Sequence, residues 1–164
     1  MALPSKILPG FSATLYAQPT TTPTPLTTSA LSTYASVSAL AVSGNLVPVE
    51  AIPAFGQDDA VASFGVAGSR QSDKIPVQSA PTSMSITAAW NPSDAVLLLL
   101  RADAYNGTID RTFVISATDG TGIVNYAFNG RVSQWTIDSA PGAEAKVTFT
   151  IHPRGNQYGW SNSV

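Results

Sequence analysis

The sequence predicts a mainly β fold, its sheets forming a sandwich or barrel, with one α-helix near residues 92–105. Three observations carry that prediction. Apolar residues recur at every second position in several segments, as Met84, Ile86, Ala88 and Trp90 do against Ser83, Ser85, Thr87 and Ala89, the pattern of a half-buried strand. Turn-forming clusters separate these segments, among them Asp119-Gly120-Thr121-Gly122 and Ala140-Pro141-Gly142. The longest continuous apolar run, Ala95 to Leu100, lies between Asn91-Pro92-Ser93-Asp94 and Asn106-Gly107, a helix start and a helix stop.

The 164 residues suffice for one domain with a sizeable core. Residues 1–45 read as an N-terminal strand followed by an extended Ser/Thr/Pro-rich arm or loop, 46–155 as the β domain, and 156–164 as a polar tail. In the first part, Phe11, Ala13 and Leu15 share one face of a short strand. Pro19 to Pro25 reads Pro-Thr-Thr-Thr-Pro-Thr-Pro, a polar extended segment with little to pack. Leu31, Tyr34, Val37 and Leu40 make a weak helical stripe, opposed by the β-branched and Ser residues around them. A loop of that length inside a domain calls for a function or an ordering partner.

The β pattern starts at Leu46. Leu46 to Phe55 and Val61 to Ala67 flank Gln57-Asp58-Asp59, which reads as a hairpin tip, and Pro48 and Pro53 mean that the first of these strands is an edge or is broken. The helix takes Asn91 as its cap and Pro92 as its first residue, and Gly107 ends it. Leu97, Leu98, Leu99 and Leu100 cover about 300° of the helix at ~100° per residue, more than one sheet can hide. Ile109, Arg111, Phe113, Ile115 and Ala117 face one way in the next strand. Val124, Tyr126, Phe128 and Val132 do so in the following one, but Trp135 and Ile137 follow at odd spacing. That change of phase predicts a bulge between Gly130 and Gln134. Val147, Phe149 and Ile151 complete the last strand.

Charged residues make up 11% of the chain, against roughly a quarter in an average globular protein. Ser, Thr and Ala, at 19, 17 and 23 residues, take their place. Such a surface is easily desolvated, and it suits either a subunit covered by copies of itself or a low-charge β domain of secreted type. The eight Lys and Arg are scattered within a net charge of −2, which argues against tight DNA binding, since gripping phosphates needs clustered cations. Residues 1–10 lack the apolar run of a secretion signal, and no run approaches the roughly 20 residues that span a bilayer. The expectation is a soluble protein, without a membrane partner, that stays where it is made.

Nothing in the sequence points to catalysis, a cofactor or a metal. Cysteine is absent and His152 is the single histidine, beside Pro153 and Arg154 at a strand end, where a surface or capping role is expected. Asp58-Asp59 and Asp119-Gly-Thr-Gly lack the ligand spacing of a calcium loop. Gly65 to Gly68 lacks the Lys-Ser/Thr of a phosphate cradle. Glu50 and Glu144, the only glutamates, are far apart in sequence.

Order and pattern supply a resemblance. One helix lies between two strand groups. A hairpin follows, written Thr112-Phe113-Val114-Ile115, then Asp119-Gly120-Thr121-Gly122, then Tyr126-Ala-Phe128-Asn-Gly130-Arg-Val132, and Ala145-Lys-Val147-Thr-Phe149-Thr-Ile151 closes the series. Over residues 74–155 this resembles the tail tube proteins of long-tailed, siphovirus-like bacteriophages. The resemblance implies stacked hexameric rings whose sheets join into a tube conducting double-stranded DNA during ejection. It implies a virion protein assembled in the host cytoplasm, whose partners are itself and the tape-measure, tail-terminator and baseplate proteins. On that reading Glu50, Gln57, Asp58, Asp59 and Ser63 are candidates for the lumen, because the 46–67 segment holds no cation to retard DNA. Leu97, Leu98, Leu99, Leu100, Pro19, Pro23 and Pro25 are candidates for contacts between subunits. Arg111, Arg131 and Lys146 would then point away from the bore and pair with Asp103, Asp110 or Glu144. The competing reading is a β-sandwich binding or adhesion module on a virion or cell surface.

Overall fold

A computed structural model describes residues 12–65, 72–118 and 122–162. Its elements run β1 (Ser12–Ala17), α1 (Thr28–Leu31), α2 (Tyr34–Ser38), β2 (Leu46–Val47), β3 (Gln57–Gly65), β4 (Ser72–Pro81), β5 (Met84–Ala89), α3 (Ala95–Asn106), β6 (Arg111–Thr118), β7 (Ile123–Asp138) and β8 (Lys146–Asn162). Six strands form one antiparallel sheet in the order β2-β1-β6-β7-β8-β5, and β3 and β4 form a separate hairpin. The predicted mainly β class therefore holds.

The six-stranded sheet curls until its edges meet through a single segment. Leu46 and Val47 pair with β1, and Val49 forms a bridge with Ala88 of β5. The Glu50 N–H donates to the Thr87 carbonyl and the Ala89 N–H to the Pro48 carbonyl, both at 2.9 Å. Pro48 has no N–H to give, but here only its carbonyl is needed. A curled sheet leaves few open edges for aggregation.

Its concave face holds the main core. Leu15, Ala17, Met84, Ile86, Phe113, Ile115, Phe128, Val132, Val147, Phe149 and Ile151 are buried there with Val96, Leu97 and Leu100 of α3. β5 alternates buried and solvent-facing residues as its period of two predicts. β6 is buried on both faces over Arg111–Ile115, because α1 and α2 cover the convex side. There Leu31 and Val37 pack with Val114 and Ala127 in a second, smaller core.

Four sequence expectations are corrected. The arm over 19–45 is not a loop throughout: Leu31 and Val37 of the weak stripe bury themselves in two single-turn helices, and the second core offsets the poor helix propensity around them. The Gln57-Asp58-Asp59 segment is not a hairpin tip. Gln57 pairs with Pro81 and Gly65 with Ser72, so the turn of that hairpin falls among residues 66–71, outside the described residues. With Pro48 and Pro53 denying ladder donors before Phe55, β3 starts only at Gln57. The helix begins at Ala95 with Asp94 as its cap, not at Pro92. The Asp94 carboxylate accepts from the Val96 and Leu97 N–H groups at 2.9 and 3.1 Å, while the Asn91 side chain is taken up by the Ser93 N–H in the preceding turn. Finally, the tail expected over 156–164 is strand as far as Asn162, paired with β7 from Val124 to Phe128.

Other expectations hold. Gly107 sits at φ +68° and its N–H closes the helix onto the Asp103 carbonyl at 2.8 Å, a conformation glycine adopts without a Cβ penalty. The phase change in β7 is a register shift between Ser133 and Thr136, with Gln134 at φ +57°. The 119–121 part of the expected β6–β7 turn lies outside the described residues, as does Phe11.

Candidate assembly surface

What the sequence left as an arm is tied down by three buried polar side chains of β6 and β7. Arg111, almost fully buried, donates from Nε to Asp103 of α3 at 2.6 Å, and from Nη1 to the carbonyls of Gln18 and Thr20, the latter at 2.8 Å. Thr112 and Asn129 act as a clamp on the backbone of Leu26. The Leu26 N–H donates to the Thr112 hydroxyl at 2.9 Å, that hydroxyl donates to Asn129 Oδ1 at 2.7 Å, and the Asn129 amide donates to the Leu26 carbonyl at 2.8 Å. The segment between them is thereby fixed on the surface. Pro23 and Pro25, half-buried, line a shallow open groove there with Thr22, Thr108, Ile109 and Asp110, while Pro19 is exposed.

Thr112→Val keeps the shape and removes the hydroxyl, leaving the Leu26 N–H without its acceptor. It is expected to lower stability by about 1–2 kcal/mol in chemical denaturation, and to speed proteolysis within residues 19–27. Unchanged cleavage there would show that the clamp does not hold the segment.

The leucines of α3 divide sharply. Leu97 and Leu100 are fully buried within the subunit, Leu99 is half-buried, and Leu98 is 42% exposed. Leu97 and Leu100 are therefore spent on the subunit's own core and leave no surface for a second chain. At ~100° per residue, Leu98, Arg101, Ala102 and Tyr105 share the outer face. Tyr105 is 73% exposed, with the Arg101 guanidinium 5.8 Å from its ring centre. Among the described residues nothing covers this largely apolar stripe.

The charged groups are paired economically. Of the partners the sequence offers as a set, Arg111 meets Asp103 and Arg131 meets Asp110, while Lys146 takes Glu50, which lies outside that set. Glu50, a candidate for the lumen, is thus neutralised at 2.5 Å by a cation, and that contact raises the pKa of Lys146. Asp110 also accepts from Arg154, at 2.6 Å. Partial burial pushes the Asp110 carboxyl up, yet the two guanidiniums outweigh it and hold it below the usual range. Gln57, Asp58, Asp59 and Ser63 all lie in β3, but their side chains fall outside the described part.

His152 is exposed, its Nδ1 2.9 Å from the Ser83 hydroxyl and its Nε2 2.7 Å from that of Ser133. Among the described residues the two ring partners are serines, whereas a hydrolytic triad orients its histidine with a carboxylate. Among the described residues no group of His, Asp and Glu could hold a metal ion, and no helix is long and apolar enough to cross a membrane.

No protein-family model matches the chain, and no curated protein matches it in sequence. Solved structures do. A component of the anti-feeding prophage baseplate, seen by cryo-electron microscopy with six-fold symmetry, superposes with a TM-score of 0.59 over 98% of this chain and 97% of its own, at 12% identity. The SPP1 tail tube, solved by solid-state NMR and cryo-electron microscopy, gives 0.53 over 90% of this chain and 76% of its own, also at 12% identity. The chain has the tail tube fold. A baseplate component and a tail tube subunit both superpose on it, so what remains specific to this chain is the surface it presents: the α3 stripe, the strapped groove and the β3–β4 hairpin.

Proposed function

We propose that this protein is a structural subunit of a phage tail, assembling with copies of itself into stacked rings that form the conduit for double-stranded DNA. The observation that carries the reading is the fold match over nearly the whole of both chains to a baseplate component in a six-fold assembly. The surface supports it. A two-stranded ribbon is marginal by itself, and β3 and β4 pair with each other in a sheet of their own; edges of that kind are templates for a neighbouring chain. The uncovered α3 stripe and the low charge point the same way. The role is non-enzymatic, and its place is the virion, after assembly in the host cytoplasm. Tape-measure, tail-terminator and baseplate proteins are the further partners. Within the tube, Glu50 and the acidic start of β3 belong to the bore, where few free cations would let the duplex slide.

Electron microscopy of the purified protein tests this reading directly. Rings or tubes are expected; a monodisperse monomer at every concentration and salt would overturn it, and a discrete trimer would favour the adhesion module. Leu98→Asp probes the stripe: it is expected to leave the circular dichroism spectrum and melting temperature unchanged while abolishing tubes. Tubes formed equally well by that variant would remove α3 from the interface.

A further inference from the structure

The β7–β8 turn forms a tip whose small apolar apex and flanking carboxylates are complementary in chemistry to the strapped groove. Residues 138–144 are all exposed. The apex, Ala140-Pro141-Gly142-Ala143, is small and apolar, and Asp138 and Glu144 flank it. The nearby cation, Lys146, forms its ion pair with Glu50 and also feels Asp138 and Glu144, so three carboxylates share one cation and the tip keeps a net negative charge. The groove is the converse. Its floor is Pro23, Pro25 and Ile109, and its rim is Asp110 bound by Arg131 and Arg154. Two guanidiniums on one carboxylate leave one positive charge, on arginines that are 40% and 46% exposed.

The two features cannot meet within one chain. Asp138 pairs with Lys146 and Arg131 with His152 in the same ladder, and residues 131 and 138 lie roughly 20 Å apart along an extended strand. We propose that the 138–144 tip of one copy docks into the Pro23–Pro25–Ile109 groove of a second copy. The carboxylates of Asp138 and Glu144 then face Arg131 and Arg154. This rests on the self-assembly proposed above and supplies one of its contacts. The patches differ, so the contact is heterologous: repeated from copy to copy, it builds a ring or a filament and not a closed two-fold dimer. In a chain with so few charges, these groups weigh heavily in choosing the register. The strap explains why 18–26 is fixed before assembly: Arg111, Thr112 and Asn129 preform the groove floor, so its ordering entropy is not charged to docking.

A charge swap tests the contact. Asp138→Lys/Glu144→Lys makes the tip basic, and Arg131→Glu/Arg154→Glu makes the groove acidic. Each variant alone is expected to keep the native circular dichroism spectrum and to need roughly tenfold more protein to assemble, read by light scattering and sedimentation velocity. Mixed in equal amounts, the two are expected to recover wild-type assembly, because each basic surface now meets an acidic one. The tip variant alters two exposed residues, Asp138 at the end of β7 and Glu144 in the turn. If the acidic groove variant loses its native spectrum, Arg131→Gln/Arg154→Gln replaces it, and weakened assembly of that variant, too, is expected. A tip variant that assembles at the wild-type concentration overturns the contact while wild-type tubes leave the assembly reading standing. Two defective variants that fail to rescue each other also overturn it. A wild-type protein that never assembles overturns both.

Discussion

Arg111→Met is expected to destabilise the subunit by about 3–5 kcal/mol, the usual cost of stranding one partner of a buried ion pair. Both charges are out of water, with side-chain exposures of 1% for Arg111 and 3% for Asp103. Removing the guanidinium leaves the Asp103 carboxylate on α3 without its counter-charge and takes a donor from the carbonyls of Gln18 and Thr20. The effect should therefore appear twice, as a lower denaturation midpoint and as faster cleavage after residue 18. The pair itself is not optimal, because Arg111 Nη2 is buried without a hydrogen-bond acceptor, and an unmade buried bond offsets part of the Coulombic gain. Asp103→Leu/Arg111→Met removes both charges and is expected to be more stable than either single variant. A double variant as unstable as the sum of the singles would mean that the two residues act independently, contrary to the geometry.

Much of the fold can be read from residue patterns, and the failures share a cause. The period of two located β5 to β7 and the first half of β8 because one face of each meets the core and the other does not. The bulge at Gln134 is legible because a single inserted residue reverses the inward positions on either side of it. The short helices are not, since α1 and α2 hold only Leu31 and Val37 in the second core; what stabilises them is the convex face of β6 and β7, which no local pattern announces. The end of β8 escapes for the same reason: 156–164 is polar and glycine-containing, and its strand conformation comes from pairing with β7. The helix cap shifted by three residues because Asn91 and Asp94 both suit the role, and it is the Asp94 carboxylate that takes the Val96 and Leu97 N–H groups while Asn91 is taken up by Ser93.

The candidate surface divides in the same way. Asp103 and Asp110 are among the partners the sequence offers for Arg111 and Arg131, but which pairs with which, and the exposure of Leu98 beside two buried leucines, depend on how α3 and the strands sit together. The signal that could have exposed the strap is the run Arg111-Thr112 at a strand start. A charged residue beginning a buried strand needs a partner, and the extended segment at 18–26 supplies carbonyls for it.

The second large effect is expected at Gly159, where β8 passes under α1. A Cβ built there would come within 2.5 Å of the Ser32 hydroxyl, 2.7 Å of the Leu31 carbonyl carbon and 2.8 Å of the Leu31 oxygen. Two of those atoms are backbone, so no rotamer change relieves the clash and α1 must lift from the sheet. Lifting it withdraws Leu31 from its contacts with Val37, Val114 and Ala127. Gly159→Val is expected to cost about 3 kcal/mol, the upper end for overpacking a tight site, and Gly159→Ala somewhat less. The damage should be local. Hydrogen exchange is expected to quicken over 19–38 while the β6–β7 ladder, whose opposite face packs Phe113, Ile115 and Phe128 into the main core, stays protected. Gly44 is the control, since nothing lies within 4 Å of a Cβ added there, and Gly44→Ala is expected to be neutral. Because the groove floor belongs to the segment that precedes α1, Gly159→Val should also weaken assembly while the subunit remains folded. A Gly159→Val protein as stable as the wild type, with unchanged exchange over 19–38, would mean that α1 does not rest on β8.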